Sequence, residues 1–421
     1  MSGKFNFRRD ILQSVGSSGV GMLLALVTTP IMTRIYPAEA YGINGVILTI
    51  TTLIAGFGLF GLPIALAREQ HGPEQARLLQ ASTQMAILLV GLCILAITAA
   101  LLGPFAVPKG ATSLALFIVP LLLLFHCAQR IVDCLVNAKG RFQAQALARI
   151  GNVVTARGVA LALGWLVHPV AASMLASDAA GKITHVAITG RIAQLGQDWK
   201  ALNWWPEPKF LFRTIRDYRV FALQSNFATA LPLLVVLGVQ VMIGARLGTK
   251  EIGYYVLAQS IITLPVTVVA LASAPVVFHR LVRVADETPE RLPRLALMAM
   301  LGYLAFGAIC MLPIILFGSV IFAFAFGEAW ESAGRVAAVL AIPQIFTFSV
   351  IGLQSLFRVT RKINAWFGFE TVGTTIILCG MLLIPQQCDL MTSITVLAAL
   401  KFGYNILLLF GCLWASKQTT N

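Results

Sequence analysis

Ionisable side chains lie inside long apolar stretches of this sequence, where each charge costs about 3 kcal/mol on insertion scales and must face protein or water. In one stretch they recur at intervals of four, three and four residues, which places them on one face of a helix. These residues are His126, Arg130, Asp133 and Asn137. A second stretch repeats the pattern with Asp178, Lys182 and His185. Intramembrane cations attract anionic ligands and carboxylates carry protons, so the pattern is typical of transport pathways.

Three more ionisable residues are isolated within apolar stretches. They are Arg157, Lys401 and Glu370. Each of the two stripes contains an acid and a base at helix-neighbour spacing, so one interpretation is that these pairs only neutralise themselves. The isolated residues then leave a positive interior charge, which suits an anionic substrate.

We expect substrate contact first from the isolated cations and then from the cations of the stripes. In that order, the substrate-binding candidates are Arg157, Lys401, Arg130 and Lys182. The candidates for ion coupling are Glu370, Asp178 and Asp133. The alternative for the isolated cations is contact with neighbouring helices, or extension of their charged ends to the membrane surface. The cysteines lack metal-type spacing, so neither a metal site nor a cofactor is expected.

The composition requires that these residues be held by helices in a membrane. With 58% hydrophobic and 11% charged residues and a mean hydropathy of +0.84, the chain lacks the polar surface of a water-soluble fold. Apolar runs of about 18 residues or more, each long enough to cross the hydrocarbon core, recur throughout. About twelve spans are predicted, over 11-33, 43-67, 79-103, 111-136, 146-167, 170-190, 218-245, 253-278, 295-318, 332-357, 363-385 and 391-415.

The two halves of the chain have the same arginine, glutamate and proline residues at a constant offset of 212 residues, which predicts a duplicated unit. The matched positions are Arg34 with Arg246, Glu39 with Glu251, Pro63 with Pro275, and Arg68 with Arg280. The predicted fold class is an all-α integral membrane protein with two six-helix pseudo-symmetric bundles around a central cavity. The predicted domains are 1-195, a connector over 196-217, and 218-421. The matched arginines are also explained as membrane-surface anchors.

The basic residues predict the orientation of the chain. When loops are assigned alternately to the two sides, 22 basic residues fall on one side and 5 on the other, so both termini are expected to be cytoplasmic. The net charge of +14 then indicates contact with anionic lipid rather than nucleic acid. In the connector, Trp204 and Trp205 with scattered cations suggest a segment on the headgroups, although a plain solvated linker explains the composition equally well.

Two short regions resemble a known family. The first runs from Pro30-Ile-Met-Thr-Arg34-Ile-Tyr-Pro-Ala-Glu39 through Tyr41-Gly42 and continues, after a span, with Phe57-Gly-Leu-Phe-Gly61-Leu-Pro to Arg68. The second is Gly244-Ala-Arg-Leu-Gly248-Thr-Lys-Glu-Ile-Gly253-Tyr-Tyr-Val-Leu-Ala258. Both resemble the bacterial polysaccharide flippases that move lipid-linked O-antigen units, in the multidrug/oligosaccharidyl-lipid/polysaccharide exporter superfamily. Family members often have an acidic residue near the second region, where this chain has Gln240, so an ion-coupling role does not transfer there.

The resemblance implies a flippase of the bacterial inner membrane that works by alternating access. A polyprenyl diphosphate bearing an oligosaccharide would enter from the cytoplasmic leaflet and leave in the periplasmic one, with or without coupling to a proton or another ion. Polysaccharide-assembly proteins are possible partners. A multidrug or cation antiporter of the same superfamily is the alternative, although its cavity is expected to be acidic. A membrane polymerase or ligase fits less well because every predicted outer loop is short, so enzyme chemistry is not expected.

Overall fold

The computed structural model describes residues 7–68, 72–102, 111–200, 202–385 and 387–417. Within these ranges the chain is helical and forms no strand, as the predicted fold class requires. The first helices are α1 (Phe7–Ile35), α2 (Ala38–Gly58), α3 (Leu62–Leu66), α4 (Pro73–Leu102), α5 (Ala111–Ala138), α6 (Phe142–Leu166), α7 (Ala171–Ile192), α8 (Gly196–Lys200) and α9 (Pro208–Asp217). They are followed by α10 (Arg219–Leu247), α11 (Thr249–Glu287), α12 (Leu292–Phe326), α13 (Glu331–Leu353), α14 (Leu356–Val359), α15 (Ile363–Leu382) and α16 (Leu390–Lys417).

Nine helices in the described ranges are long and apolar enough to cross a membrane. Two shorter apolar segments, Gly19–Ile35 of α1 and Leu231–Leu247 of α10, add to them. Helix α7 is not among the nine, and it contains Asp178, Lys182 and His185. Every predicted span overlaps one long helix, so the membrane fold class is confirmed, whereas the number of twelve spans stays a prediction.

The chain divides into two compact units, Met1–Leu233 and Leu234–Asn421, with the division inside α10. In the first unit, α5, α6 and α7 pack together, with α1 against α6 and α2 against α5 and α7. In the second, α13 is central and packs against α11, α12 and α16, and α15 packs against α16. The predicted domain boundaries at 195 and 218 stay a prediction.

The repeat seen in the sequence also marks helix ends. Helix α1 ends at Ile35 and α10 at Leu247, which are separated by the same 212-residue offset, and each helix has its matched arginine in the last turn. Glu39 and Glu251 both lie in the first turn of the following helix. The repeated arginine and glutamate therefore mark a short turn between two consecutive helices, and this turn occurs once in each unit.

The halves differ after that corner, and the predicted continuous span 43-67 is wrong. In the first unit, Phe60 (φ 49°) and Gly61 (φ 67°) adopt left-handed conformations that end α2 and start the short helix α3. Glycine adopts this conformation without steric cost, and Pro63 suits the first turn of the new helix. The matching part of the second half has no such break, since α11 continues for 39 residues.

Close helix contacts in the second unit depend on glycine. A β-carbon at Gly318 of α12 would lie 2.6 Å from the carbonyl oxygen of Gly334 in α13, closer than unbonded heavy atoms approach. The contact involves backbone on both sides, so neither helix can yield by a side-chain rotation. By contrast, a β-carbon at Gly302, more than four turns away on α12, would meet nothing within 4 Å.

We expect Gly318→Ala to destabilise the second unit by about 1–3 kcal/mol, the usual cost of overpacking. Gly302→Ala is the matched control on the same helix and is expected to unfold at or slightly above the wild-type temperature, because alanine favours helix. The measurement is the midpoint of thermal unfolding of the purified protein in detergent. Equal midpoints for the two variants would contradict the close α12–α13 contact.

Candidate functional site

The polar stripe of α5 faces two neighbouring helices of the first unit. Nε2 of His126 lies 3.3 Å from Oγ1 of Thr52 on α2. One turn further on, a β-carbon at Gly56 of α2 would lie 3.7 Å from Nη1 of Arg130, so the guanidinium lies against that helix. Asp133 points instead to α7, where Nε2 of His185 lies 2.9 Å from its Oδ1 atom. His126, Arg130 and Asp133 of the predicted stripe therefore form a line of contacts between helices, whereas Asn137 is exposed.

The polar stripe of α7 meets the same region from the other side. The amide of Asn44 on α2 donates to Oδ2 of Asp178 at 3.2 Å. Lys182 and Arg157 both act electrostatically on Asp178, and Arg157 also acts on Tyr41. Lys182 and Arg130 act in addition on His126. The charged residues of α5, α6 and α7 thus form one electrostatically connected group.

We call this group the N-terminal polar cluster. It consists of Asn44, Thr52, His126, Arg130, Asp133, Arg157, Asp178, Lys182 and His185. Apart from its histidines, the cluster has five ionisable side chains. Three are cations and two are carboxylates, and all five are half-buried. Asn44 and His185 are buried. With neutral histidines the cluster has an excess of one positive charge, inside helices whose other residues are mostly apolar.

Buried polar atoms of the cluster have unused hydrogen-bonding capacity. Nδ1 of His126, Nδ1 of His185 and the side-chain oxygen of Asn44 are buried without a hydrogen-bond partner in the described ranges. Gln129 of α5 has a buried side-chain oxygen in the same condition. Buried polar groups in native proteins are normally paired with protein, water or ligand. The cluster can therefore accept further polar partners.

The expected neutralisation within each helix holds only in part. Asp133 has its close contact with His185 on α7, and the ion pairs of the described residues include none between Asp133 and Arg130. Asp178 interacts with Lys182 of its own helix but is shared with Arg157 of α6 and Asn44 of α2. Because the acids are used across helices, the cations of the cluster remain only partly compensated.

The second unit holds a smaller polar site on α15 and α16. Glu370 is buried and accepts a hydrogen bond from the hydroxyl of Tyr404. Asn405 donates to the carbonyl oxygen of Pro343 at 3.0 Å and to Oγ1 of Thr347 at 3.1 Å, both on α13. Tyr404 and Asn405 thereby tie α16 to two different neighbouring helices.

Lys401 lies between these two contacts on the helix surface, one turn before Tyr404 and Asn405. It shares its face of α16 with Leu397 and Leu408, which are fully buried. The side chain is half-buried and makes no hydrogen bond or ion pair with any residue that the structure describes. Lys401 is therefore a cation on an inward-facing side of the helix without a local counter-charge.

Sequence reasoning named the ionisable residues but missed several of their partners. Asn44, Thr52 and Tyr404 carried no signal of their own, because uncharged polar residues occur at several positions of α2 and α16 and do not by themselves indicate a site. The spacing of three from Lys401 to Tyr404 was the one available clue, since residues three apart share a helix face. Among the residues searched, no group of three or more histidine, cysteine or acidic side chains is arranged to hold a metal ion.

The long apolar helices define a multi-pass membrane protein. An inward-facing multidrug resistance transporter of the MATE family, in the MOP superfamily, superposes with a TM-score of 0.71 at 14% identity over 95% of this chain and 94% of its own. The lipid II flippase MurJ, in an inward closed conformation, gives 0.68 at 14% identity over 97% and 91%. A MOP superfamily transporter from Pyrococcus furiosus, in which reverse polarity of the binding pocket suggests a different function, gives 0.59 at 12% identity over 98% and 95%.

At these identities the similarity establishes the fold, which is that of MOP superfamily transporters. No curated protein sequence matches the chain significantly. The family model described as "Polysaccharide biosynthesis protein" matches residues 7–284, well over half of the 421 residues. The chain belongs to this polysaccharide biosynthesis family.

Proposed function

We propose that this protein is a flippase that moves polyprenyl-diphosphate-linked oligosaccharide units from the cytoplasmic to the periplasmic leaflet of the bacterial inner membrane. Family membership supports a role in polysaccharide biosynthesis, and the fold supports transport rather than catalysis. The observation that carries the proposal is the N-terminal polar cluster, in which three cations meet only two carboxylates inside apolar helices.

The physical task of such a flippase explains the excess of cations. A diphosphate cannot enter hydrocarbon without compensation, because an isolated charge in a medium of low dielectric constant is strongly destabilised. Arg157 and Lys401 are the first candidates to compensate it, with Arg130 and Lys182 next. Lys401 suits this role because no described residue neutralises it, and Arg157 because it shares one carboxylate with Lys182.

Ion coupling is assigned to carboxylates that are held between helices. Asp178 bonds to α2, Asp133 contacts α7 from α5, and Glu370 accepts from α16. Protonation of any of them removes a charge from a contact between two helices, which biases one arrangement of the helices over another. The proposed cycle works by alternating access, with both termini in the cytoplasm and the lipid tail outside the protein.

A multidrug or cation antiporter is the second candidate, and the similarity to the MATE transporter favours it. An antiporter for cationic drugs needs acidic side chains in excess along its pathway, whereas the cluster has cations in excess. The charge balance therefore favours an anionic cargo. Assembly proteins that polymerise the exported units are the expected partners.

The decisive experiment measures both cargoes with the same purified protein in liposomes. Lipid-linked oligosaccharide becomes accessible to an external glycan-modifying reagent if it is flipped, and dye retention reports drug transport. We expect flipping without dye transport. In cells, deletion of the gene should cause complete lipid-linked units to accumulate on the cytoplasmic side. Dye transport without flipping would establish the antiporter, and unpolymerised units accumulating outside would point to a polymerase.

A further inference from the structure

The segment 202–218 of the first unit has exposed aromatic and basic side chains that the proposed transport does not use. We call it the connector segment; it includes α9. Its exposed aromatic residues are Trp204, Trp205 and Phe212, with exposed fractions of 48%, 80% and 70%. Its exposed cations are Lys209, Arg213 and Arg216. A segment that only joined two halves would have no reason to place three large aromatic rings in water.

The connector segment is docked onto the first unit by specific contacts with α4. The side-chain amide of Gln84 donates to the carbonyl oxygen of Asn203 at 3.0 Å. At the other end, Nη2 of Arg77 donates to Oδ2 of Asp217 at 2.6 Å. This hydrogen bond holds the pKa of the Asp217 carboxyl below its usual range, so the carboxylate stays charged and the contact persists in mildly acidic solution. The segment therefore has a fixed inner and outer face.

The inner face of α9 is apolar and belongs to the core. Leu211 is 3% exposed and, with Leu202, is part of the hydrophobic core of the first unit. Phe210 and Ile215 pack partly against the same core. At 100° per residue Phe210, Leu211 and Ile215 occupy one side of α9. The opposite side is occupied by Lys209, Phe212, Arg213 and Arg216.

The position of the segment along α4 matches the membrane surface. Helix α4 has 30 residues and is about 45 Å long, roughly 15 Å more than the hydrocarbon core. Its exposed apolar residues, such as Leu92 and Leu95, lie in its second half, whereas its contacts with the connector segment lie in its first 12 residues. The connector segment is therefore beside the part of a lipid-facing helix that leaves the hydrocarbon.

We propose that the outer face of α9, together with Trp204 and Trp205, binds the headgroups of anionic phospholipids. Tryptophan rings favour the headgroup level, and basic residues there are attracted by negatively charged lipid. The proposal is independent of the transported cargo. A soluble acidic protein would not require rings as exposed as Trp205 and Phe212 next to the cations, so lipid is the occupant that the side chains favour.

The test uses the full-length protein in nanodiscs of phosphatidylcholine, or of phosphatidylcholine mixed with phosphatidylglycerol, with either lipid brominated to quench tryptophan. The signal of Trp204 and Trp205 is obtained by subtracting a Trp204→Phe/Trp205→Phe variant. We expect brominated phosphatidylglycerol to quench this signal at a lower mole fraction than brominated phosphatidylcholine. Lys209→Gln/Arg213→Gln/Arg216→Gln should weaken the apparent association with phosphatidylglycerol roughly tenfold or more, since each basic residue adds to the attraction.

The matched control is Arg283→Gln/Arg291→Gln/Arg294→Gln, which removes the same charge from exposed positions elsewhere. It should leave quenching of the Trp204 and Trp205 signal unchanged. Equal quenching by both lipids, or equal loss in both triple variants, would overturn the proposal. So would a signal quenched by soluble acrylamide but by neither lipid, which would instead indicate a face for a soluble partner. The six arginine and lysine positions are exposed, so both triple variants are expected to fold. If either does not, the loss of lipid quenching in Trp205→Phe alone provides a second measurement.

Discussion

Replacement of Lys401 by alanine is expected to lower export about 10- to 150-fold without lowering the stability of the protein. A hydrogen bond to a charged group contributes about 1.5–3 kcal/mol, which corresponds to this range if Lys401 contacts the diphosphate. In the described structure the lysine has no counter-charge, so its removal leaves no carboxylate unpaired. An amine that is half-buried without a partner is costly, and Lys401→Ala should unfold at or above the wild-type temperature. Loss of function with retained stability is what separates a ligand contact from a structural one.

Two matched variants make this result specific. Lys401→Arg keeps the positive charge and should retain most of the export. Lys250→Ala removes a lysine that is exposed at the start of α11 and should have no effect. The measurements are the rate of lipid-linked oligosaccharide flipping in liposomes and the thermal midpoint in detergent. Export at the wild-type rate by Lys401→Ala at equal protein level would remove this residue from the proposed site.

Periodicity predicted the faces of helices well because it depends only on neighbours in the chain. The intervals in α5 and α7 placed His126, Asp133 and His185 on contact faces, and the structure joins Asp133 to His185 across 2.9 Å. What periodicity cannot supply is the identity of the partner. Local spacing favoured Arg130 as the neighbour of Asp133, but packing of α5 against α7 brought a residue 52 positions away closer to it.

The break after α2 illustrates a second limit. The halves of the chain match at Pro63 and Pro275, so the sequence predicted equal spans there. In the first half, the left-handed conformation at Phe60 and Gly61 precedes the proline, and the helix ends. In the second half α11 continues to Glu287. A proline alone does not determine whether a membrane helix ends, because neighbouring helices and water can satisfy the freed carbonyl groups.

Two uncharged residues of the N-terminal polar cluster were missed because their residue types are common in membrane helices. Asn44 and Thr52 are two of several small polar residues in α2, and such residues occur in many membrane helices for packing alone. Their role became visible only through Asp178 and His126, which lie more than 70 positions away in the chain. Nonlocal pairs of this kind require the fold, and the fold required the apolar pattern that the sequence did provide.

Replacement of His185 by leucine is expected to destabilise the first unit by about 3 kcal/mol. Removal of the hydrogen-bond partner of a buried polar group costs about 1–3 kcal/mol, and the upper end applies because the group left behind is a carboxylate whose side chain keeps only 22% of its accessible surface. The cost arises from the carboxylate left behind rather than from the lost histidine, which is fully buried and well replaced by an apolar side chain. Asp133→Leu/His185→Leu should therefore be more stable than the sum of the two single variants predicts, by about 1–3 kcal/mol.

The free energies of unfolding in mixed detergent micelles, followed by circular dichroism, give this coupling directly from a double-mutant cycle. His126→Leu combined with Asp133→Leu is the matched cycle, because these residues are two turns apart on α5, about 10 Å along the helix axis. At that distance the effects should add within about 0.5 kcal/mol. Coupling of equal size in both cycles would mean that these residues interact by long-range electrostatics rather than by direct contact. Strict additivity of the Asp133 and His185 substitutions would refute the contact. A specific coupling would show that the contact between Asp133 and His185 stabilises the packing of α5 against α7.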